Sequence, residues 1–460
     1  MAVMTHTRPT ATTPATSSST SCSSTSSVEP AAVLDSLSRH LLVDGYDLVV
    51  DLAGSHGSWL RDATTGREHL DLFTYFASNP IGTNHPGLTE NTAFLAKLAA
   101  TALHKPSNSD IYTTQLAEFV DTFARVLGHP QLPHLFFIDG GALAVENALK
   151  VAFDWKSRLN ESKGLDPALG TQVMHLEGAF HGRSGYTMSL TNTDPTKTAR
   201  FPQFTWPRIP APHTGLGDEA CVERAEDDAL AAARAAFEAN PHDIACFIME
   251  PIQGEGGDRH FRPRFLQLMQ QLCHAHDALF ILDEVQTGVG MTGTTWAFEQ
   301  LVVVPDVVSF GKKAQVCGVM AGGRVDEVPD NVFAVSSRIN STWGGNLTDM
   351  VRSQRILEVI EAEGLVERAG ALGAHLLARL QNLAASHAVV THPRGRGLMC
   401  AVDLPDTATR NAVVAALKEE GVLVLGCGTR SVRFRPSLAV TADELDAGVD
   451  ALDRVLTRLA

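Results

Sequence analysis

The sequence has no regularly spaced cysteine motif, no long apolar run and no block of positive charge. Its seven cysteines show no C-x-x-C spacing and its 18 histidines no H-E-x-x-H or similar spacing, which argues against a disulfide framework or a metal site. No apolar run approaches the roughly 18 residues of a membrane-spanning helix, and no signal-peptide pattern opens the chain. The net charge of −15 disfavours nucleic acid as a partner. These absences predict a cytoplasmic protein without membrane or nucleic-acid partners.

The N-terminus has a biased composition. Residues 11–27 hold 13 serines and threonines and no charged side chain. Such a segment buries too little surface to offset the entropy of ordering, so we predict a disordered tail over residues 1–29. A transit peptide is the alternative, but it would carry several arginines, and only Arg8 precedes Arg39.

Short apolar runs alternate with helical patterns between about residues 110 and 325. The runs are HLFFI, TQVMHL, IACFIMEP, LFILDEV, VVSFG and GVMAGG. This alternation predicts an α/β fold with a mostly parallel, doubly wound sheet covered on both faces. Before it, SWLRD and REHLDLF predict a hairpin in a minor domain. After it, a long amphipathic helix precedes LMCAVDL, GVLVLG and SVRFRPSL, which predict a small α/β domain.

Open α/β sheets bind ligands at the carboxyl ends of their strands, where this sequence carries distinctive residues. After HLFFI, the segment from Asp139 through Gly140, Gly141 and Ala142 leads into a helix from Leu143. Such a glycine-rich helix N-terminus can cradle a phosphate. A plain tight turn is the alternative, and the spacing matches neither a dinucleotide nor a nucleoside-triphosphate motif.

Three further strand ends carry candidate ligand groups. In AFHGRSG, Phe180 could stack on an aromatic ring and Arg183 could bind a carboxylate, although core packing and a surface ion pair would explain them equally well. Glu250 and Glu255 follow IACFIM. Asp283 ends a buried strand, where an unpaired carboxylate is costly, so we expect a partner for it, either a nest of backbone N–H groups or a cationic atom of a ligand.

Two adjacent lysines, Lys312 and Lys313, follow VVSFG. In a ligand crevice, burial and nearby cations favour the neutral amine that carbonyl chemistry requires. A phosphate cradle, a flat aromatic side chain, a buried carboxylate and a neutral lysine match the phosphate, ring, pyridine nitrogen and aldehyde of pyridoxal 5′-phosphate. The sequence therefore predicts this cofactor.

The segment DEVQTG, followed 29 residues after its Asp by the first lysine of SFGKK, with EPIQGEGG upstream, resembles the class III (subgroup II) aminotransferases. The resemblance extends from about residue 35 to the end, and strings such as GGALAVENALKVAFDWKSR and NSTWGGNLTDMVR are most similar to the bacterial L-lysine 6-aminotransferases. It implies the type I pyridoxal-phosphate transferase fold, with a large domain at 91–345 and a small domain built from 30–90 and 346–460.

The resemblance also implies residue roles in cofactor binding. Lys312 would be the catalytic lysine that binds the cofactor covalently, with Lys313 structural or near the phosphate, and Asp283 would hold the pyridine nitrogen. Phe180 would lie on the ring. The remaining cofactor contacts would come from Gln286, Gly141, Ala142, Ser341 and Thr342. Because Thr342 would reach the phosphate of the neighbouring subunit, a homodimer with shared active sites is implied.

Substrate-binding roles follow from the same resemblance. Arg183 would bind the carboxylate at the far end of the amino donor, and Glu255 and Arg433 would form a gating pair. Arg435 is the alternative to Arg433, and Asn340 would help to hold the substrate's α-substituents. The enzyme would move the ε-amino group of L-lysine to 2-oxoglutarate, giving 2-aminoadipate 6-semialdehyde, which cyclises to piperideine-6-carboxylate, and glutamate.

Other functions remain open at this stage. The donor could be 4-aminobutyrate or ornithine, because each presents an amine remote from a carboxylate. A pyridoxal-phosphate isomerase or decarboxylase on the same fold is a further alternative. A transcription regulator with an aminotransferase-like domain would need a DNA-binding domain ahead of the fold, and the predicted tail is too short and uncharged to supply one.

Overall fold

The computed structural model of the protein describes residues 28–459. The predicted tail at 1–29 therefore lies, except for its last two residues, outside the described part of the chain. A search of the helices within residues 28–459 finds none with the length and apolar character required to span a bilayer.

Helices and strands alternate over the described residues. The strands are β1 (Val50–His56), β2 (Trp59–Asp62), β3 (Glu68–Asp71), β4 (His134–Ile138), β5 (Gln172–Leu176), β6 (Arg208–Ile209), β7 (Ile244–Met249), β8 (Ile252–Gln253), β9 (Arg259–His260), β10 (Leu279–Asp283), β11 (Val307–Phe310), β12 (Cys317–Ala321), β13 (Thr391–Arg396), β14 (Met399–Asp403), β15 (Val422–Leu423), β16 (Leu425–Cys427) and β17 (Ser431–Phe434). The helices are α1 (Val33–Ser38), α2 (Thr74–Ala77), α3 (Pro86–Thr89), α4 (Thr92–Ala102), α5 (Thr114–Val126), α6 (Gly141–Ser162), α7 (Gly185–Leu190), α8 (Glu219–Ala239), α9 (Pro263–Ala275), α10 (Leu347–Ala362), α11 (Leu365–Ser386), α12 (Thr407–Glu419) and α13 (Ala442–Leu459).

The largest sheet has the strand order β4-β12-β11-β10-β7-β5-β6. All six predicted apolar runs form strands in it, and the prediction of a mostly parallel sheet is confirmed. Only β12 runs antiparallel to both of its neighbours. The connection from β11 to β12 covers just residues 311–316, which is too short for the helical crossover that parallel strands need.

The large sheet is buried on both faces, because successive side chains along a strand point to opposite sides. On β7, Cys246 and Ile248 pack with the buried face of α6, whereas Phe247 and Met249 belong to the core on the other face. Burying each large apolar side chain stabilises the fold by roughly 1.5–3 kcal/mol. This burial on both faces fixes the positions of the strand ends, and the candidate site residues lie at those ends.

Two four-stranded sheets lie outside the large one, and one of them combines early and late parts of the chain. In the order β1-β2-β3-β15, the predicted N-terminal hairpin pairs in parallel with β15 from the C-terminal region. The other sheet, β13-β14-β17-β16, places Arg433 on β17. Pairing between β3 and β15 agrees with a small domain built from both ends of the chain, whereas the boundaries 30–90, 91–345 and 346–460 stay predictions.

Candidate active site

A cavity of about 490 Å³ lies at the carboxyl ends of the central strands, within the roughly 300–1,000 Å³ typical of small-molecule sites. Nine of the predicted site residues line it together: Gly141, Ala142, Phe180, Arg183, Glu255, Asp283, Gln286, Lys312 and Arg433. The fold therefore brings these predicted residues to one place.

One end of this cavity is the first turn of α6. The helix begins at Gly141, two residues before the predicted start, after Gly140 with a φ of 97°. No side chain in the described part of the chain caps this turn, so its N–H groups are free to bind an anion. Gly182 closes over the turn, and a Cβ there would lie 2.5 Å from the Cβ of Ala142. The close approach of these two backbone segments thus requires glycine.

Asp283 lies at the end of β10, deep in the cavity and 5% exposed. Its Oδ2 is 2.8 Å from Nδ1 of His181, and its Oδ1 accepts a hydrogen bond from the Ser309 hydroxyl at 3.0 Å. His181 is a partner that the sequence analysis did not foresee, although the residue stands between Phe180 and Arg183. Among residues 28–459, its buried Nε2 finds no hydrogen-bond partner. These contacts fix the carboxylate in the orientation that faces the cavity.

Lys312 and Lys313 occupy different environments. The Lys312 amine lines the cavity and donates to the Phe76 carbonyl at 3.0 Å. Burial, with Arg433 and Arg435 adding to it, lowers the pKa of Lys312 to about 8. Lys313 points away from the cavity and donates to the Gln286 carbonyl at 2.8 Å. Of the two lysines, only Lys312 is placed to react with a ligand. Lys313 holds the backbone at Gln286.

The segment Thr74–Ala77 forms a part of the cavity that the sequence analysis did not foresee. These four residues, given above as α2, all have φ between 46° and 64°, so α2 is a left-handed turn, which is costly for residues other than glycine. The turn brings Tyr75 and Phe76 to the cavity wall. Thr74 anchors it by donating from its hydroxyl to the Arg435 carbonyl at 2.6 Å.

Glu255 and Arg433 form the ion pair that the resemblance implied, with Oε2 and Nη2 3.1 Å apart. Glu255 also accepts from Lys197 at 2.6 Å, a contact absent from the sequence analysis. Burial alone would raise the pKa of Glu255, but Arg433 and Lys197 hold it below its usual value. Arg433 is 3% exposed, and its Nε and Nη1 lack hydrogen-bond partners within the described residues. A buried guanidinium with free donors fits a carboxylate ligand.

Arg435, the alternative to Arg433, has other partners. It lies just beyond β17, pairs with buried Asp258 and donates to Gln286 Oε1 at 3.3 Å. It is not among the residues that line the cavity in the described chain. The geometry therefore favours Arg433 as the group that meets a ligand.

Glu250 is a second buried carboxylate in the cavity. It accepts from the backbone N–H groups of Phe180 at 3.0 Å and Gly254 at 3.1 Å. Burial raises the pKa of Glu250 to about 7. Its bonds hold the segment that carries Phe180, whose ring lies 5.8 Å from the Arg183 guanidinium carbon.

Three predicted site residues lie apart from the rest. Asn340, Ser341 and Thr342 sit on a loop and do not line the cavity of the single chain as described. The Ser341 carbonyl accepts from the Ser109 hydroxyl at 3.1 Å. The roles assigned to these residues stay predictions, and the role of Thr342 involves the neighbouring subunit.

The sequence pattern of the family described as aminotransferase class-III matches residues 43–456. The chain belongs to the class III aminotransferases. The L-lysine-epsilon aminotransferase of Mycobacterium tuberculosis is 63% identical to this class III chain over 429 residues, covering 93% of this chain and 96% of that protein. A solved structure described as lysine aminotransferase from M. tuberculosis in the internal aldimine form matches with a TM-score of 0.93 at 62% identity, over 94% of this chain and 100% of that one. A probable mitochondrial 4-aminobutyrate aminotransferase of Caenorhabditis elegans is 34% identical, over 89% of this chain and 88% of that protein.

Family membership confirms the resemblance and the type I fold. Class III aminotransferases depend on pyridoxal 5′-phosphate, so the predicted cofactor is also confirmed. The cavity fits it: an uncapped helix N-terminus suits the phosphate, and a buried carboxylate at Asp283 suits a protonated ring nitrogen. An aminotransferase acts on small molecules, an amine donor and a keto acid. The roles of individual residues stay predictions.

Proposed function

We propose that this enzyme moves the ε-amino group of L-lysine to 2-oxoglutarate. The observation that supports it most is the 63% identity to an L-lysine-epsilon aminotransferase over nearly the whole chain, against 34% for a 4-aminobutyrate relative. The cavity agrees with a donor of this shape, because Lys312 lines it together with two arginines, Arg183 and Arg433, that could each bind a carboxylate. The products are 2-aminoadipate 6-semialdehyde, which cyclises to piperideine-6-carboxylate, and glutamate.

Pyridoxal 5′-phosphate, when bound, supplies an electrophilic carbonyl and a ring that withdraws electrons from the carbon next to the nitrogen. The first turn of α6, with Gly141 and Ala142, would hold its phosphate, and Asp283 would keep its ring nitrogen protonated. Gln286 and Phe180 line the cavity where the ring would lie. These groups would anchor the cofactor and set its electronic character.

The chain's own residues would bind the donor and move its proton. Arg183 would bind the carboxylate remote from the reacting amine and so present the ε-amine rather than the α-amine. Lys312, with a pKa of about 8, has enough neutral amine near neutral pH to take the proton from Cε as a general base and return it. Tyr75 and Phe76 would limit the access of water to this amine.

The same cavity must accept two different substrates in turn, which gives ping-pong kinetics. While lysine is bound, Glu255 would neutralise Arg433. When 2-oxoglutarate enters, Glu255 would release Arg433 to bind the α-carboxylate. The contact between Glu255 and Lys197 offers the carboxylate a second partner when it leaves Arg433.

A donor panel tests the substrate assignment. With 2-oxoglutarate as acceptor, we expect L-lysine to give a kcat/KM at least about tenfold above those of 4-aminobutyrate and ornithine, measured by glutamate release and by the cyclic imine. Faster turnover of either rival would overturn the lysine assignment and leave the family intact. Amine consumption without 2-oxoglutarate would instead point to an isomerase or decarboxylase.

Glu255→Ala is expected to separate the two half-reactions. Without the carboxylate, Arg433 stays charged and unpaired while lysine is bound, so the donor half-reaction should fall about 10- to 100-fold. The acceptor half-reaction, followed in single turnovers with 2-oxoglutarate, should change less than about threefold. Glu118→Ala, which removes an exposed partner of Lys97 outside the cavity, serves as the control. Equal losses in both half-reactions would contradict the gating role.

The homodimer is also part of this proposal. Leu103, Ile111 and Tyr112 are exposed by 67–81% in the single chain. Such exposure is typical of apolar side chains that another subunit covers. The Ser109 hydroxyl ties this region to the loop that carries Thr342. A shared interface there would bring Thr342 towards the cofactor phosphate of the neighbouring subunit, and light scattering should then give twice the monomer mass.

The cytoplasmic location remains a prediction from composition.

A further inference from the structure

A second cavity, of about 540 Å³, lies beside the β8–β9 hairpin and the C-terminal sheet. Part of its wall is formed by Gly256 and Gly257, which directly follow Glu255 in the chain. Three arginines and two histidines line it, against two aspartates. None of the roles in the transamination reaction uses these side chains.

Both aspartates of this second cavity are already engaged. Asp403 accepts from Arg394 Nη2 at 2.8 Å and from the Ser431 hydroxyl at 2.6 Å. Burial would raise the pKa of Asp403, yet His392 and Arg394 hold it well below its usual range. Asp406 caps α12 by accepting from the Thr409 N–H at 2.8 Å. The two carboxylates therefore leave part of the positive charge of the cavity without a counter-charge.

Arg259, on β9, is the cation that lacks a partner. Its guanidinium faces the cavity and forms no hydrogen bond or ion pair with any side chain or carbonyl of residues 28–459, and neither Glu177 nor Asp403 pairs with it. Burial, with Arg394 adding to it, lowers the pKa of Arg259. Burial also lowers the pKa of His213 to about 4, again with help from Arg259. Since no acceptor in the described part of the chain pairs with this half-buried guanidinium, its planar N–H fork is free to bind an anionic ligand in the cavity.

We propose that this second cavity binds a small dianion that carries a phosphate or two carboxylates. Arg259 would bind one anionic group through its planar fork, and Arg430, half exposed at the rim and 3.5 Å from Asp403, would reach the other side. Arg394 would not turn to the ligand, because its nitrogens already donate to Asp403 and to backbone carbonyls. It holds the wall on which the ligand rests.

The wall connects the second cavity to the catalytic one. Arg394 donates to the carbonyls of Gly257 at 2.6 Å and Asp258 at 2.8 Å, and the Gly428 N–H donates to the Glu255 carbonyl at 2.9 Å. The Asp258 carboxylate in turn pairs with Arg435. A ligand in the second cavity would therefore contact the segment that carries Glu255.

The test is titration calorimetry of the cofactor-loaded enzyme with inorganic phosphate, with succinate as the second arm and chloride at matched ionic strength as the blank. In each arm we expect a saturable component of one site per chain that weakens at least tenfold in Arg259→Gln and in Arg430→Gln. Arg125→Gln, which removes an exposed cation that pairs with Glu361 on α10, should bind as the parent does. The stronger of the two arms tells whether the site prefers a phosphate or a dicarboxylate.

Binding of succinate at the catalytic arginines is separated from the proposed site by its insensitivity to Arg259→Gln. The proposal is overturned if no saturable component exceeds the chloride blank, or if the component is equal in the parent and in both variants. The Arg259 side chain forms no hydrogen bond or ion pair within residues 28–459, so we expect its variant to fold, which a thermal melt checks. Because calorimetry measures binding alone, the result does not depend on the donor assignment.

Discussion

Replacing Lys312 with alanine should lower turnover with L-lysine by about three orders of magnitude or more, because the variant loses both the nucleophile and the general base. The neutral amine is what the site provides: burial, with the charges of Arg433 and Arg435, lowers the pKa of Lys312 to about 8. Borohydride reduction of the cofactor-loaded parent should attach the cofactor to a peptide that contains residue 312. That attachment should vanish in the variant, as read by absorbance and mass spectrometry.

The neighbouring lysine supplies the matched control. Lys313 is 1% exposed, and its amine donates to the carbonyls of Gln286 and Ala77. Lys313→Met keeps the packing but leaves these carbonyls without their donor, so we expect a loss of about 1–3 kcal/mol in the free energy of unfolding. Cofactor attachment should persist. Attachment that survives in Lys312→Ala and disappears in Lys313→Met would reverse the assignment of the two amines.

The strand ends were predictable because they depend on chain direction alone. Parallel strands finish at one edge of a sheet, so Phe180, Glu250, Asp283 and Lys312, each just after an apolar run, had to lie near one another. The antiparallel direction of β12 was not predicted, although its six-residue connection from β11 carries that information. The sequence therefore predicts where the cavity lies, but not which side chains contact one another within it.

The contacts that were missed depend on side-chain geometry or on distant segments. His181 stands in the quoted AFHGRSG, yet its pairing with Asp283 requires the register between β5 and β10, which are separated by β7. Lys197 reaches Glu255 from the short 3-10 helix Pro195–Lys197, 58 residues away in the chain. The left-handed turn at Thr74–Ala77 contains no glycine, so no residue type signals it. Tertiary contacts, not local preference, hold that turn in place.

The pairing of Asp283 with His181 leads to the second large effect. Asp283→Asn keeps the size of the side chain, and its Oδ1 can still accept from the Ser309 hydroxyl, so we expect the variant to fold. The amide carries no negative charge, however, and cannot hold a protonated ring nitrogen beside it. Turnover should fall by about two to four orders of magnitude, comparable to the loss of other electrostatic groups in active sites. The affinity for the cofactor should fall as well.

Glu250→Gln is the comparison that isolates charge at the ring nitrogen from buried charge in general. Glu250 is 5% exposed like Asp283, but it accepts from the Phe180 N–H through Oε1 and from the Gly254 N–H through Oε2, and the single amide oxygen of glutamine can replace one of these two acceptors. Since burial raises its pKa to about 7, Glu250 is already partly neutral near neutral pH, and the substitution should cost less than about tenfold in turnover. Steady-state rates and the absorbance of the bound cofactor would be compared across both variants. Equal losses would mean that the cavity needs negative charge generally, and a parent-like Asp283→Asn would remove Asp283 from the mechanism.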